Sequence, residues 1–200
     1  MKPIISISGT SRPDNYTAQA LAVVNEQIRE SEVSVIEFDA RQLELNFPGQ
    51  PMTDDARRLR EAIEECDAVI LATPEYHGTF SAMTKLIIEN LGFPSALEGK
   101  TVSLLGVAAG RIGAIKSLQH LRGVCAHVGA VVLPGAVSVA GVRNAFDDDG
   151  NCIDDDVAQM LSGLADHTLA YQQTHICPAR VLEGDIRAGE EDASPWSATL

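Results

Sequence analysis

The sequence has little that could staple a fold or carry it through a membrane. Its 200 residues include four cysteines, Cys66, Cys125, Cys152 and Cys177. None forms a C-x-x-C pair and none stands at zinc-finger spacing from a histidine, which excludes a disulfide framework and a structural zinc; no metal is expected. No apolar run approaches the ~20 residues that span a bilayer. The opening MKPIISISGTSR turns polar too early for a signal-peptide core, so it is expected to be the first buried strand of a cytoplasmic protein with no membrane contact. Basic residues are scarce: 15 Lys and Arg face 28 Asp and Glu, a net charge of −13. Non-specific nucleic-acid binding is therefore excluded. Much of the acid is concentrated in Asp147–Asp149, Asp154–Asp156 and the segment after Cys177. The remaining body is mildly acidic and can hold an anionic cofactor at a local site.

Apolar strand patterns alternate with helical ones. Ile4–Ser8 is a short β-branched run, and Tyr16 to Glu30 follows with Ala18, Leu21, Ala22, Val24, Asn25 and Ile28 at helical spacing. Ser34–Phe38 reads as a second strand. Thr53 is an N-cap candidate with Asp54 and Asp55 in the first turn of a helix. Ala68–Thr73 lacks polar alternation, as a strand covered on both faces does, and Pro74 is expected to close it. A helix over about 81–91, a strand at Thr101–Ala108, a helix over about 112–128, a final strand at Ala130–Leu133 and a helix around 157–171 complete the series. Repeated βα units predict a three-layer α/β fold, a five-stranded parallel sheet with helices on both faces. Five strands fit the flavodoxin-like order 2-1-3-4-5. Residues 1–177 are expected to form this domain and 178–200 a loose acidic tail, with Trp196 its one aromatic anchor.

In such a sheet ligands bind beyond the carboxyl ends of the strands, and three loops there carry chemistry. The first runs from Ser8 to Thr17. A strand-to-helix turn offers backbone N–H groups and the positive end of the helix dipole to an anion. Thr10, Ser11, Asn15 and Thr17 add short donors and Arg12 adds charge, although a plain turn with Asn15 as cap has the same composition. The loop matches neither G-x-x-x-x-G-K-[ST] nor G-x-G-x-x-G. The second loop, Thr73 to Thr79, places Pro74, Tyr76, His77 and Gly78 after the most buried strand, where a planar ring finds a flat wall and backbone donors. Glu75 either serves that site or caps locally. The third, Gly106 to Gly113, is made of small residues that let a flat ligand approach the backbone.

With these loops the chain resembles the NADPH-dependent FMN reductase family, flavodoxin-like reductases of flavins, quinones, azo dyes and chromate. Gly9, Ser11, Arg12 and Asn15 stand in a loop similar to the family's phosphate loop, G-S-x-R-x-x-S-x-N. Pro74, Glu75 and Tyr76, then His77, Gly78 and Thr84-Lys85, resemble its ring loop, P-E-Y-N followed by G, S and P-G and then L-K. His77 departs from the usual Asn, Ser81-Ala82 from Pro-Gly, and Ala108-Ala109 from a Ser or Thr beside Gly. The resemblance spans about residues 1–175. It implies that Ser11, Arg12, Asn15, Tyr16 and Thr17 contact the phosphate and ribityl chain of FMN. Pro74, Glu75, Tyr76, His77 and Gly78 would then line the ring, with Gly110 and Gly113 on its other side. It also implies electron transfer from NAD(P)H to a small acceptor in a homodimer or homotetramer. No catalytic side chain is named, because the flavin accepts hydride at its own ring. Two other readings stand beside this one: a flavin-binding electron carrier without NAD(P)H turnover, and a non-flavin biosynthetic or binding protein.

Overall fold

A computed structural model describes residues 1–189 of the chain. In order, the elements are β1 (Ile4–Ser8), α1 (Tyr16–Glu30), β2 (Val35–Asp39), α2 (Asp54–Glu65), β3 (Ala68–Tyr76), β4 (Thr79–Phe80) and α3 (Ala82–Glu89). Then follow β5 (Thr101–Val107), α4 (Ile115–His127), β6 (Val131–Val132), β7 (Val137–Val139), α5 (Asp155–Tyr171) and α6 (Cys177–Gly189). The sheet runs β2-β1-β3-β5-β6, parallel throughout, with β7 also parallel on β5 and β4 folded back antiparallel on the end of β3. This is the flavodoxin-like order 2-1-3-4-5. Its last position is shared by two short strands where a single Ala130–Leu133 strand was expected. Pro134 and Gly135 interrupt it, since proline cannot donate to a ladder.

The central strands β1 and β5, and β3 through Pro74, are buried residue after residue because both of their faces are covered. Along β3, Val69 and Leu71 pack into one cluster with Leu59 and Ile63 of α2, Ile87 of α3 and Leu121 of α4. Ala68, Ile70 and Ala72 point the other way, onto Leu21, Val24 and Ile28 of α1 and Leu161 and Leu164 of α5. Each fully buried Leu, Ile or Val stabilises by roughly 1.5–3 kcal/mol, so this two-sided burial fixes the register.

Thr53 caps α2 as expected, its hydroxyl accepting from the Ala56 N–H at 3.1 Å, with Asp54 and Asp55 in the first turn. Two expectations are corrected. The first is that Pro74 closes the strand; β3 instead runs on to Tyr76. Ala72 turns its carbonyl toward β1, where it accepts from the Gly9 N–H at 2.8 Å. Two residues on, Pro74 faces the same side, but β1 has already ended at Ser8, so no ladder bond requires the N–H that proline lacks. The second is the loose tail from Pro178. Over 177–189 the chain is helical, joined to α5 by a π-helical segment, Gln172–Ile176. Among the described side chains of α6, Val181, Leu182 and Ile186 are exposed, so these three form no stripe packed on the core. Arg180 ties it to the buried Asp67 at the start of β3. Trp196 and the rest of 190–200 lie outside the described residues.

Candidate functional site

The loop after β1 is wedged in place before it reaches the surface. A Cβ on Gly9 would lie 2.1 Å from the Thr84 hydroxyl and 2.8 Å from the Ala72 carbonyl, so only glycine lets the chain pass. The Gly9 carbonyl accepts from the hydroxyls of Ser81 and of Thr84, the latter at 3.0 Å. Ser81 also caps α3, accepting from the Thr84 N–H at 2.9 Å. The departure at Ser81 from the family's Pro-Gly thus has a structural use: it joins the first loop to the start of α3.

Asn15 is the N-cap of α1. Its side-chain oxygen accepts from the Ala18 N–H and its amide donates to the Arg12 carbonyl, both at 2.8 Å. The side chain is therefore engaged at both ends, holding the loop from which Arg12 projects. The N–H groups of Tyr16 and Thr17, first in the helix, have no intrahelical acceptor by geometry. With no acid in the first turn of α1, this end keeps its positive field.

The overshoot of β3 builds the second wall. The Tyr76 hydroxyl meets that of the buried Thr10 at 3.3 Å, bridging the first two loops. His77 and Gly78 then turn the chain into β4 with φ of 52° and 76°. A two-residue hairpin with both central residues left-handed demands Gly at one place and tolerates Asn, Asp or His at the other. His77 replaces the family's Asn within that tolerance. Glu75 resolves to a cap: its carboxylate accepts from the Ser117 N–H at 3.2 Å, in the first turn of α4. The helix needs it, because its own N-cap residue, Ala114, has no side-chain acceptor. The Ala114 N–H donates instead to Ser138 in β7 at 2.8 Å.

These walls enclose a cleft of about 360 Å³, within the ~300–1,000 Å³ range of small-molecule sites. Of the residues expected at the site, Arg12, Asn15, Tyr16 and Thr17 line it on one side and Pro74, Glu75 and Tyr76 on another. Thr10 lies just beneath, through its bond to Tyr76. Ser11, His77, Gly78, Gly110 and Gly113 are not on its wall. His77 is exposed at the hairpin tip, and the Gly110 carbonyl is occupied by the Gly113 and Gly141 N–H groups at 3.2 and 3.0 Å. From the third loop it is Val107, Ala108 and Ala109 that line the cleft.

A fourth wall, Val142 and Arg143, was not anticipated. It follows β7, itself unread. The signal was the β-branched Val137-Ser138-Val139 between Gly135 and Gly141, which reads as a short strand with a loop at the same sheet edge. Of the free thiols, Cys66 and Cys125 are buried. Burial pushes them up to about 11 and about 12, which removes them as nucleophiles.

A helix start with unpaired N–H groups, opening into a cleft lined by Pro74, Tyr76 and Val107–Ala109, has the donor set and the shape for a phosphorylated planar cofactor. The family model for NADPH-dependent FMN reductase matches residues 2–144. The chain belongs to the NADPH-dependent FMN reductase family. It is accordingly a flavodoxin-like, FMN-dependent oxidoreductase that draws electrons from NAD(P)H. An NAD(P)H-dependent FMN reductase of Pseudomonas aeruginosa is 29% identical over 168 residues, 79% of this chain and 88% of that protein. A 2-hydroxy-1,4-benzoquinone reductase of Burkholderia is 27% identical over 120 residues, 58% and 66% of the two chains. Among solved structures, a flavoenzyme NAD(P)H:(acceptor) oxidoreductase of Paracoccus denitrificans superposes with a TM-score of 0.71 at 24% identity, over 88% of this chain and 99% of that one. That last likeness concerns the fold.

Proposed function

We propose that the cleft holds FMN with its phosphate on the N-terminus of α1 beside Arg12 and its ring between the end of β3 and Val107–Ala109, and that the electrons pass to a small quinone. The observation that carries this reading is the opening of a helix N-terminus with no acid in its first turn into a cleft that Pro74, Tyr76 and Val107–Ala109 also line. When bound, FMN supplies the redox chemistry, accepting hydride and passing electrons on. The chain's residues position it: the N–H groups of Tyr16 and Thr17 and the Arg12 guanidinium meet the phosphate, and Asn15 holds that loop rigid. Pro74 and the Tyr76 ring give a flat wall, and Glu75 fixes α4 beneath it. The partly exposed Tyr76 leaves a face that a planar nicotinamide and then a planar acceptor can occupy in turn. A quinone suits that face, and the Burkholderia relative is named for one.

A second copy of the chain completes the assembly in this reading. Phe47 is 74% and Phe93 98% exposed, on segments joined by the Asn90 side chain, which donates to the Asn46 carbonyl at 2.9 Å. Exposed aromatics of this kind favour association. Residues 1–177 act as the flavin-binding unit in a reducing, cytoplasmic compartment, where the free thiols persist.

The test is reconstitution of the purified chain with FMN, followed by anaerobic titration with NADPH and NADH and turnover with benzoquinone. The protein turns yellow, is bleached by the donor and recovers its colour on adding quinone. Arg12→Ala weakens FMN binding by about tenfold or more, the value of a charge-assisted contact of about 1.5–3 kcal/mol. Failure of the wild-type chain to retain FMN at micromolar concentration would refute the reading, and an unchanged FMN Kd in Arg12→Ala would refute the role of Arg12.

A further inference from the structure

In an acidic chain most arginines are neutralised. Arg29, Arg41, Arg57, Arg58, Arg60 and Arg180 pair with carboxylates, and Arg122 donates to the carbonyls of Val132 and Leu133. Among the described side chains, the arginines without such a partner are Arg12, Arg111 and Arg143. All three sit on loops at the carboxyl edge of the sheet. Of these, Arg12 and Arg143 line the cleft.

Arg143 sits on a rigid support seated against α1. It lies in a 3-10 turn, Val142–Asn144, between the buried Val142 and Ala145. The Val142 N–H donates to the Ala108 carbonyl at 3.1 Å, pinning the turn to the cleft's third wall. Three residues on, the buried Phe146 packs its ring 6.2 Å from that of Tyr16, the first residue of α1. The backbone that carries Arg143 is thus fixed on one side to the end of β5 and on the other to the helix start. A phosphate monoester carries about −1.5 to −2 charges at neutral pH. The helix end offers about +0.5 and Arg12 one more, while Asp14 on the same cleft takes one away, which leaves about 1 to 1.5 charges unbalanced. An unpaired guanidinium carried into the same cleft by the Val142–Asn144 turn meets that need, and its planar fork suits phosphate.

We infer that Arg143 is a second phosphate-binding arginine, reaching the FMN phosphate from the Val142–Asn144 turn while Arg12 reaches it from the loop after β1. This deepens the flavin reading and rests on it. Its acidic neighbours on the cleft wall are Asp14 and Glu75. Glu75 is engaged by the Ser117 N–H, and Asp14 makes no ion pair among the described residues.

The experiment compares FMN and riboflavin, which lacks the phosphate, by fluorescence titration of wild type, Arg143→Ala and Arg143→Lys. Arg143 is exposed, so the variants keep the wild-type Tm. Arg143→Ala raises the Kd for FMN about tenfold or more and leaves that for riboflavin unchanged. Arg143→Lys recovers part of the loss, because it keeps the charge without the fork. The FMN loss in Arg143→Ala also shrinks as salt rises. The inference is overturned if FMN affinity is unchanged, if FMN and riboflavin weaken equally, or if the variant alters only the KM for NADPH. These results are distinct from failure of the flavin reading itself, in which wild type would not bind FMN.

Discussion

Glu75 lies in the segment that lines the cleft, yet its carboxylate is spent on capping α4, and the two roles can be separated by measurement. Replacing Glu75 by Ala leaves the Ser117 N–H without its acceptor at 3.2 Å and removes a negative charge from the positive end of a 13-residue helix. Loss of a side-chain cap costs about 0.5–2 kcal/mol. The remaining support is the Ser138 hydroxyl on the Ala114 N–H, which places the expected loss near the middle of that range, about 1 kcal/mol. For a chain of this size, that lowers the Tm by about 2–4 °C. Glu75→Gln keeps an acceptor but not the charge, and loses only the dipole share, about 0.3–1 kcal/mol. The assay is urea and thermal unfolding of the flavin-free protein, followed by the far-UV signal, where no cofactor contact can contribute. The expected order of stability is wild type, Glu75→Gln, Glu75→Ala. Equal stability of all three, with loss of FMN affinity in the variants, would show that the carboxylate serves the ligand and that the cap reasoning is wrong.

Gly9→Ala forces a methyl group onto the Thr84 hydroxyl and the Ala72 carbonyl; overpacking of this kind costs about 1–3 kcal/mol. Thr84→Ala in the same chain relieves only the first clash, so urea unfolding should find the double variant still less stable than Thr84→Ala alone. At the hairpin tip, His77→Asn should leave the Tm unchanged while His77→Val lowers stability by about 1–2 kcal/mol, since φ is 52° there and left-handed backbone disfavours a β-branched residue. An equal Tm for both variants would show that this turn exerts no conformational demand. The buried thiols of Cys66 and Cys125 keep their protons up to about 11 and about 12, against an ordinary value of 9.0. The unfolded chain therefore releases protons that the native chain retains. Their contribution is complete below the ordinary value and declines as pH rises through it, by about 1.4 kcal/mol per pH unit for each thiol at the steepest. Urea midpoints from pH 8 to 10.5 should fall more steeply for wild type than for the Cys66→Ala/Cys125→Ala variant, and parallel curves would remove the thiols as the cause.

The architecture was legible in the sequence because it rests on local patterns. Ile4–Ser8, Ala68–Thr73 and Thr101–Val107 carry apolar residues on both faces, and a strand of that kind needs helices above and below it. Thr53 followed by two aspartates marks a helix start wherever it occurs. The Gly9–Thr17 loop and Pro74–Tyr76 showed themselves by residue type at strand ends, and these contacts are local enough to survive translation from sequence to fold. What remained hidden depends on partners distant in the chain. The extension of β3 past Pro74 became possible only because β1 stops at Ser8, leaving no ladder bond for a missing N–H to break. The division of the last strand reflects the two places where β5 accepts it, at Thr101–Val102 and Leu105–Val107. Asn15 and Glu75 read equally well as ligands or as caps until Ala18, Arg12 and Ser117 were placed beside them. Arg143, far along the chain from Arg12, was marked only by the short Val137–Val139 strand before it, which places its loop at the sheet edge but not beside Arg12. It joins the cleft because Phe146 packs on Tyr16 and Val142 bonds to Ala108. Residue type sets which chemistry a chain can perform, and tertiary packing decides which side chains are already committed to the fold and which remain free for a ligand.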